Sequence, residues 1–131
     1  IVYRGERILS GQIVGSPRRG RKVGISGDTR PTDKLATFFK ECNLLVFEST
    51  YGQEKQVKAI ETGHSTAAEA AQLAQKSQVD KLVLTHFSAR YEETSSLVKE
   101  AGEIHHNVEA AEDFKVVKIA YPRPDSQFNK S

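Results

Sequence analysis

Two runs that are apolar at every position, Leu44-Leu45-Val46-Phe47 and Leu82-Val83-Leu84, constrain the fold of this chain more than any other feature. A strand apolar on both faces belongs in a sheet that is covered on both sides. That is the signature of parallel strands joined by helices. The sequence around these runs supplies the helices. Thr66 with Glu69 three residues later is a capping box, and it opens an alanine-rich helix over residues 67–76. Thr32, after Pro31, caps a short helix reaching about Lys40, with Leu35, Phe38 and Phe39 as its apolar stripe. A third helix is expected over residues 91–101, closed by Gly102 in the left-handed position beyond its end. Residues 21–26 form an earlier strand that stops at Gly27-Asp28-Thr29, and later strands are expected near Val108 and over residues 116–119. Residues 1–14 alternate loosely around Gly5 and Gly11, which predicts short strands of a meander followed by a basic turn over residues 15–20. Strand, helix, strand, helix, strand spells an α/β fold with a mainly parallel sheet.

Composition bounds the possibilities further. The chain has 131 residues, 37% hydrophobic and 27% charged, with a net charge of +2. These are the proportions of a soluble globular chain, with a slightly low apolar share. One cysteine excludes a disulfide scaffold and a cysteine-built zinc ribbon, so a reducing compartment, the cytoplasm, is the expectation. No apolar run approaches the roughly 20 residues of a membrane span. The chain starts at Ile1 and contains no methionine, so it is expected to be a piece of a longer protein. Residues 1–121 are expected to form a half-domain, and residues 122–131 a polar, disordered tail.

Function is suggested by what stands where the strands stop. In open α/β sheets, ligands gather at the carboxyl ends of strands. The strands here end in Asp28, Glu48 and His86, and His64 lies two residues before a helix cap. Carboxylate oxygen and imidazole nitrogen suit a zinc-type cation, so Asp28 and His86 are candidate ligands. Ser65, Thr66 and the free amides of the helix they precede suit a phosphate. Each feature also has a structural reading. Asp28 after a glycine is a common turn former, His86 a hydrogen-bonded strand-end residue, and Glu48 the first exposed residue past a buried strand. Cys42 reads as a core filler, His105-His106 as surface, and the basic turn as solvated. The polar connection over residues 49–63 is long for such a fold and is a candidate functional loop.

Four short motifs occur in an order that matches a known family: Ser26-Gly27-Asp28-Thr29-Arg30-Pro31, Phe47-Glu48-Ser49-Thr50-Tyr51, Gly63-His64-Ser65-Thr66 and Leu84-Thr85-His86-Phe87-Ser88-Ala89-Arg90-Tyr91. Together they resemble the C-terminal half of ribonuclease Z, the tRNA 3′-processing endonuclease of the metallo-β-lactamase superfamily. The resemblance implies half of an αββα sandwich, one mixed sheet flanked by helices. It implies that Asp28 is a carboxylate shared between two zinc ions, other divalent ions being alternatives, and that His86 is a ligand of one of them. Glu48 and His64 are similar to the family's paired Glu and His, which help protonate the leaving oxygen. Arg30, Ser65, Thr66, Ser88 and Arg90 would lie where substrate phosphate is held. The implied substrate is precursor tRNA and the implied assembly a homodimer. The family has His-Glu-Ala-Thr where this chain has Phe47-Glu48-Ser49-Thr50, so the glutamate is kept while its neighbours differ.

The superfamily's His-x-His-x-Asp-His motif, source of most zinc ligands and of the general base, does not occur in this sequence. Two ligands do not fill a site that needs about four per zinc. The expectation is therefore a chain that needs an N-terminal half to complete the site and is inactive alone. Two other readings stand beside it: a non-catalytic half-domain for RNA binding or dimerisation, and another phosphodiesterase of the same fold.

Overall fold

The continuous apolar run at Leu44 is apolar because it is the interior strand of a sheet. The computed structural model, which describes residues 2–10 and 19–121, places it between parallel neighbours on both sides. It divides into two compact units, Arg21–Ala120 and Ile1–Gly20 with Tyr121–Ser131. In the smaller unit, β1 (Val2–Tyr3) and β2 (Glu6–Arg7) pair antiparallel across Arg4-Gly5, both at positive φ. The expected continuation of that meander through residues 11–14, part of the basic turn and the tail over 122–131 lie outside the described residues.

In the larger unit the order along the chain is β3 (Val23–Ile25), α1 (Asp33–Phe38), β4 (Leu44–Glu48), α2 (Gln56–Thr62), α3 (Ala67–Lys76), β5 (Lys81–Thr85), α4 (Ser95–Gly102) and β6 (Val108–Ala110). The four strands lie in the order β3-β4-β5-β6, every pair parallel. Strand geometry turns alternate residues to opposite faces. Leu45, Phe47, Leu82 and Leu84 therefore share one face, and they pack with Ala36, Phe39, Ala67, Ala70, Ala71, Leu73, Ala74, Leu97 and Ala101 into the core. Alanines along α3 let its backbone lie close to the sheet. Gly24 makes room on β3 in the same way, since a Cβ there would stand 2.5 Å from the Phe39 ring. On the opposite face Ile25 is 70% and Val23 49% exposed, two β-branched side chains left open to solvent.

The caps behave as their sequences require. Thr32 Oγ1 accepts the Leu35 amide, and Thr66 and Glu69 exchange both bonds of the capping box. Four expectations change. The connection over residues 49–63 is not an irregular loop: a 3₁₀ turn (Gln53–Lys55) runs into α2, which Gly63 closes at φ 74°. Its helical periodicity is masked because only Ala59 is buried while Val57 and Ile60 face outward. The helix expected from Tyr91 begins at Ser95, because the Tyr91 hydroxyl is held at the Gly52 amide and the Glu54 carboxylate. Gly102 is the last helical residue and not a left-handed cap. Residues 116–119 join no strand; Val116 is exposed. No helix among the described residues is long and apolar enough to cross a membrane.

Candidate active site

Parallel pairing aligns the strand ends at one edge. Glu48 pairs with Thr85, the residue before His86, and the Ser26 amide past β3 donates to the Val46 carbonyl at 2.9 Å. Strand extension delivers Asp28, Glu48 and His86 to the same rim, and the close of α2 at Gly63 turns the chain so that His64 joins them.

Glu48 is the centre of this site, and it is 1% exposed. The reading of Glu48 as an exposed residue past the strand is therefore wrong. Its Oε1 accepts the Thr29 amide at 3.1 Å and His64 Nδ1 at 2.7 Å. Its Oε2 accepts the Thr50 amide at 3.1 Å, the Thr50 hydroxyl at 2.9 Å and the Ser65 amide at 3.1 Å. A buried carboxylate is tolerable only when its lone pairs are satisfied in this way. Both oxygens act as acceptors, so the His64 ring donates its Nδ1–H to Glu48 and turns Nε2 outward.

The His64 ring stacks on His86 with centroids 5.1 Å apart and planes 26° from parallel. His86 Nε2 stands 3.6 Å from Asp28 Oδ1, and His86 Nδ1 is 2.9 Å from Thr50 Oγ1. His86 sits in the left-handed region at φ 58°, a conformation that His adopts more readily than most residues. Asp28, His64 and His86 each offer a ligand atom, all within 4.8 Å of one another. One carboxylate oxygen and two imidazole nitrogens are a donor set suited to a divalent cation such as zinc.

The residues expected to hold phosphate divide into two groups. Ser88 and Arg90 stay at the surface, with Arg90 Nε 3.2 Å from Ser88 Oγ and its guanidinium 5.2 Å above the Tyr51 ring. Arg30, Ser65 and Thr66 are committed elsewhere. Arg30 makes a two-pronged ion pair with Glu69 at 2.6 and 2.7 Å and donates to the His64 carbonyl at 2.7 Å. Ser65 is wholly buried and donates to the Thr29 carbonyl at 2.6 Å, and the Thr66 hydroxyl caps α3 and donates to Gln53. The structure does not present these hydroxyls to a ligand, because capping and loop closure already use them. Burial pushes the Glu69 carboxyl up, but bonds from Arg30, Thr66 and Gln56 and the Arg30 charge outweigh it and hold it below the usual range. Burial lowers His105, away from the site, where it lies 3.3 Å from the Asp80 carbonyl.

Sequence reasoning missed Thr50. Its signal was the Glu48-x-Thr50 spacing, since in extended chain residues two apart lie on the same side.

The family model described as "Beta-lactamase superfamily domain" matches residues 5–87. Among curated proteins, the ribonuclease Z of Nitrosopumilus maritimus is 49% identical over 108 residues, 82% of this chain and 36% of the relative. That of Archaeoglobus fulgidus is 39% identical over 122 residues, 92% of this chain and 40% of the relative. The chain thus spans about two fifths of the length of these relatives. Among solved structures, human tRNase Z, short form, superposes with a TM-score of 0.61 at 38% identity, covering 77% of this chain and 34% of that one. The metallo-β-lactamase fold protein YhfI of Bacillus subtilis shares the fold, with a TM-score of 0.63 at 24% identity over 68% of this chain and 36% of that one. With its parallel sheet, its divalent-cation donor set at the strand ends and a family match over most of its length, the chain belongs to the beta-lactamase superfamily and within it is similar to ribonuclease Z.

Proposed function

We propose that this chain is the C-terminal part of a zinc-dependent endoribonuclease that removes 3′ trailers from precursor tRNA, working as a homodimer in the cytoplasm. The observation that carries the reading is the contact of half-buried His64 with buried Glu48, 2.7 Å apart, beside Asp28 and His86. Asp28 and His86 would hold the metal, with further ligands supplied by a segment bearing His-x-His-x-Asp-His. When bound, the metal supplies Lewis-acid stabilisation of the negative charge that develops on the scissile phosphodiester. His64 protonates the leaving 3′ oxygen from Nε2, and Glu48 at Nδ1 holds the ring in place. Ser88 and Arg90 contact substrate phosphate at the rim. Arg30, Ser65 and Thr66 support the reaction indirectly by fixing the loops that carry Thr29 and His64.

The test is cleavage of a precursor tRNA with a 3′ trailer by this chain joined to a His-x-His-x-Asp-His segment. His64→Ala is expected to lower kcat by about 10²–10⁴-fold, the usual worth of a positioned proton donor, with metal content unchanged. A substrate whose leaving oxygen is replaced by sulfur needs no such proton and should recover most of the loss. Loss of metal in His64→Ala would make His64 a ligand instead of the donor. Absence of cleavage by the joined protein, with tight metal-independent RNA binding, would replace the nuclease reading by that of a binding module.

A further inference from the structure

We propose that Thr50 is a positioning residue that relays the Glu48 carboxylate to His86, so that one buried carboxylate sets the tautomer of both site histidines. The inference follows from proton counting. The Thr50 hydroxyl has one proton and two close polar neighbours, Glu48 Oε2 at 2.9 Å and His86 Nδ1 at 2.9 Å. Oε2 already accepts two backbone amides, Thr50 and Ser65, so it is an acceptor only and takes the hydroxyl proton. The hydroxyl oxygen then has lone pairs left, and His86 must supply the proton: Nδ1–H donates to Thr50 Oγ1. In the neutral ring that leaves Nε2 with a free lone pair, and this is the nitrogen 3.6 Å from Asp28 Oδ1.

The same logic holds on the other oxygen, where His64 Nδ1–H donates directly to Oε1. Glu48 therefore leaves Nε2 of both neutral rings as the free lone-pair nitrogen, of His64 directly and of His86 through a hydroxyl. Thr50 is 6% exposed and its amide is bonded to the same carboxylate, so the hydroxyl cannot swing to another partner. The Thr50 carbonyl accepts the Ser88 amide at 3.0 Å, which fixes the segment after His86 as well. The Ser49 hydroxyl is not part of the relay, since it donates to the Thr85 carbonyl at 3.0 Å.

The consequence for catalysis rests on the nuclease reading, but the tautomer does not. The measurement is long-range ¹H–¹⁵N correlation on the histidine rings of the metal-free chain, at a pH where they are neutral. Wild type should show His86 mainly as the Nδ1–H tautomer. Thr50→Val removes the acceptor, and His86 should become mainly Nε2–H while His64 stays Nδ1–H. Thr50→Ser keeps the hydroxyl and should restore the wild-type pattern. Thr50→Ala serves in place of valine if the latter does not fold. A His86 pattern that is Nε2–H in wild type, or unchanged in the valine or alanine variant, overturns the relay. A hydroxyl that only stabilised the fold would lower the Tm on substitution and leave the tautomer alone. In the joined protein, Thr50→Val should cost about 10–100-fold in metal affinity, as loss of a ligand's orienting partner does, and Thr50→Ser little. Failure of the joined protein to cleave RNA would remove the nuclease reading and leave the tautomer result standing.

Discussion

At the scale of single residues, the site depends on satisfying Glu48. Five donors meet its two oxygens. Glu48→Gln offers only one acceptor oxygen, and its amide nitrogen must then face donors. A cost of about 1–3 kcal/mol is expected, that of stranding a buried donor, measured by urea unfolding. The pairing of Glu48 with His64 was legible from motifs, but Glu48's burial was not, since a charged residue at a strand end is ordinarily exposed. Gly24 was equally silent in sequence. Gly24→Ala brings a Cβ to 2.5 and 2.9 Å from Phe39 ring atoms. Overpacking of that kind should cost about 1–3 kcal/mol, read as a lower Tm with the fold retained.

At the scale of elements, local codes were readable where a cap writes them. The start of α3 was plain because Thr66 and Glu69 bond to each other's backbone within one turn. Thr66→Ala should lose about 1 kcal/mol, the typical worth of such a cap. What the local code omitted is the second duty of Glu69, which also binds Arg30 and Gln56 from distant chain. Its carboxyl is held below its ordinary value of 4.5. A depressed carboxylate adds stability that is present above the unfolded value and lost as pH falls through the folded one. Urea midpoints should therefore fall as pH drops below 4.5, and Glu69→Gln should flatten that fall while lowering stability at neutral pH. Helix α2 was hidden because its one buried residue, Ala59, carries no stripe, and only tertiary contact selects it.

At the scale of the whole molecule, the sheet has one face in the core and one edge of the other face open at Val23 and Ile25. Ile25→Thr removes exposed apolar surface and should change the chain's own stability by no more than about 0.5 kcal/mol. If that face seats the complementing segment, the variant should assemble with it less well, measured by sedimentation of a mixture of the two. Sequence alone determined the α/β order, the parallel strands and the identity of the strand-end residues, because hydrophobic period, caps and motif order are written locally. The tertiary structure decided which groups Arg30, Ser65 and Thr66 bond within the fold, that α2 exists, and that Thr50 lies between Glu48 and His86. Those are matters of which polar group finds which partner across 17 to 39 residues of chain, and hydrogen-bond partners at that separation are chosen by packing, not by spacing.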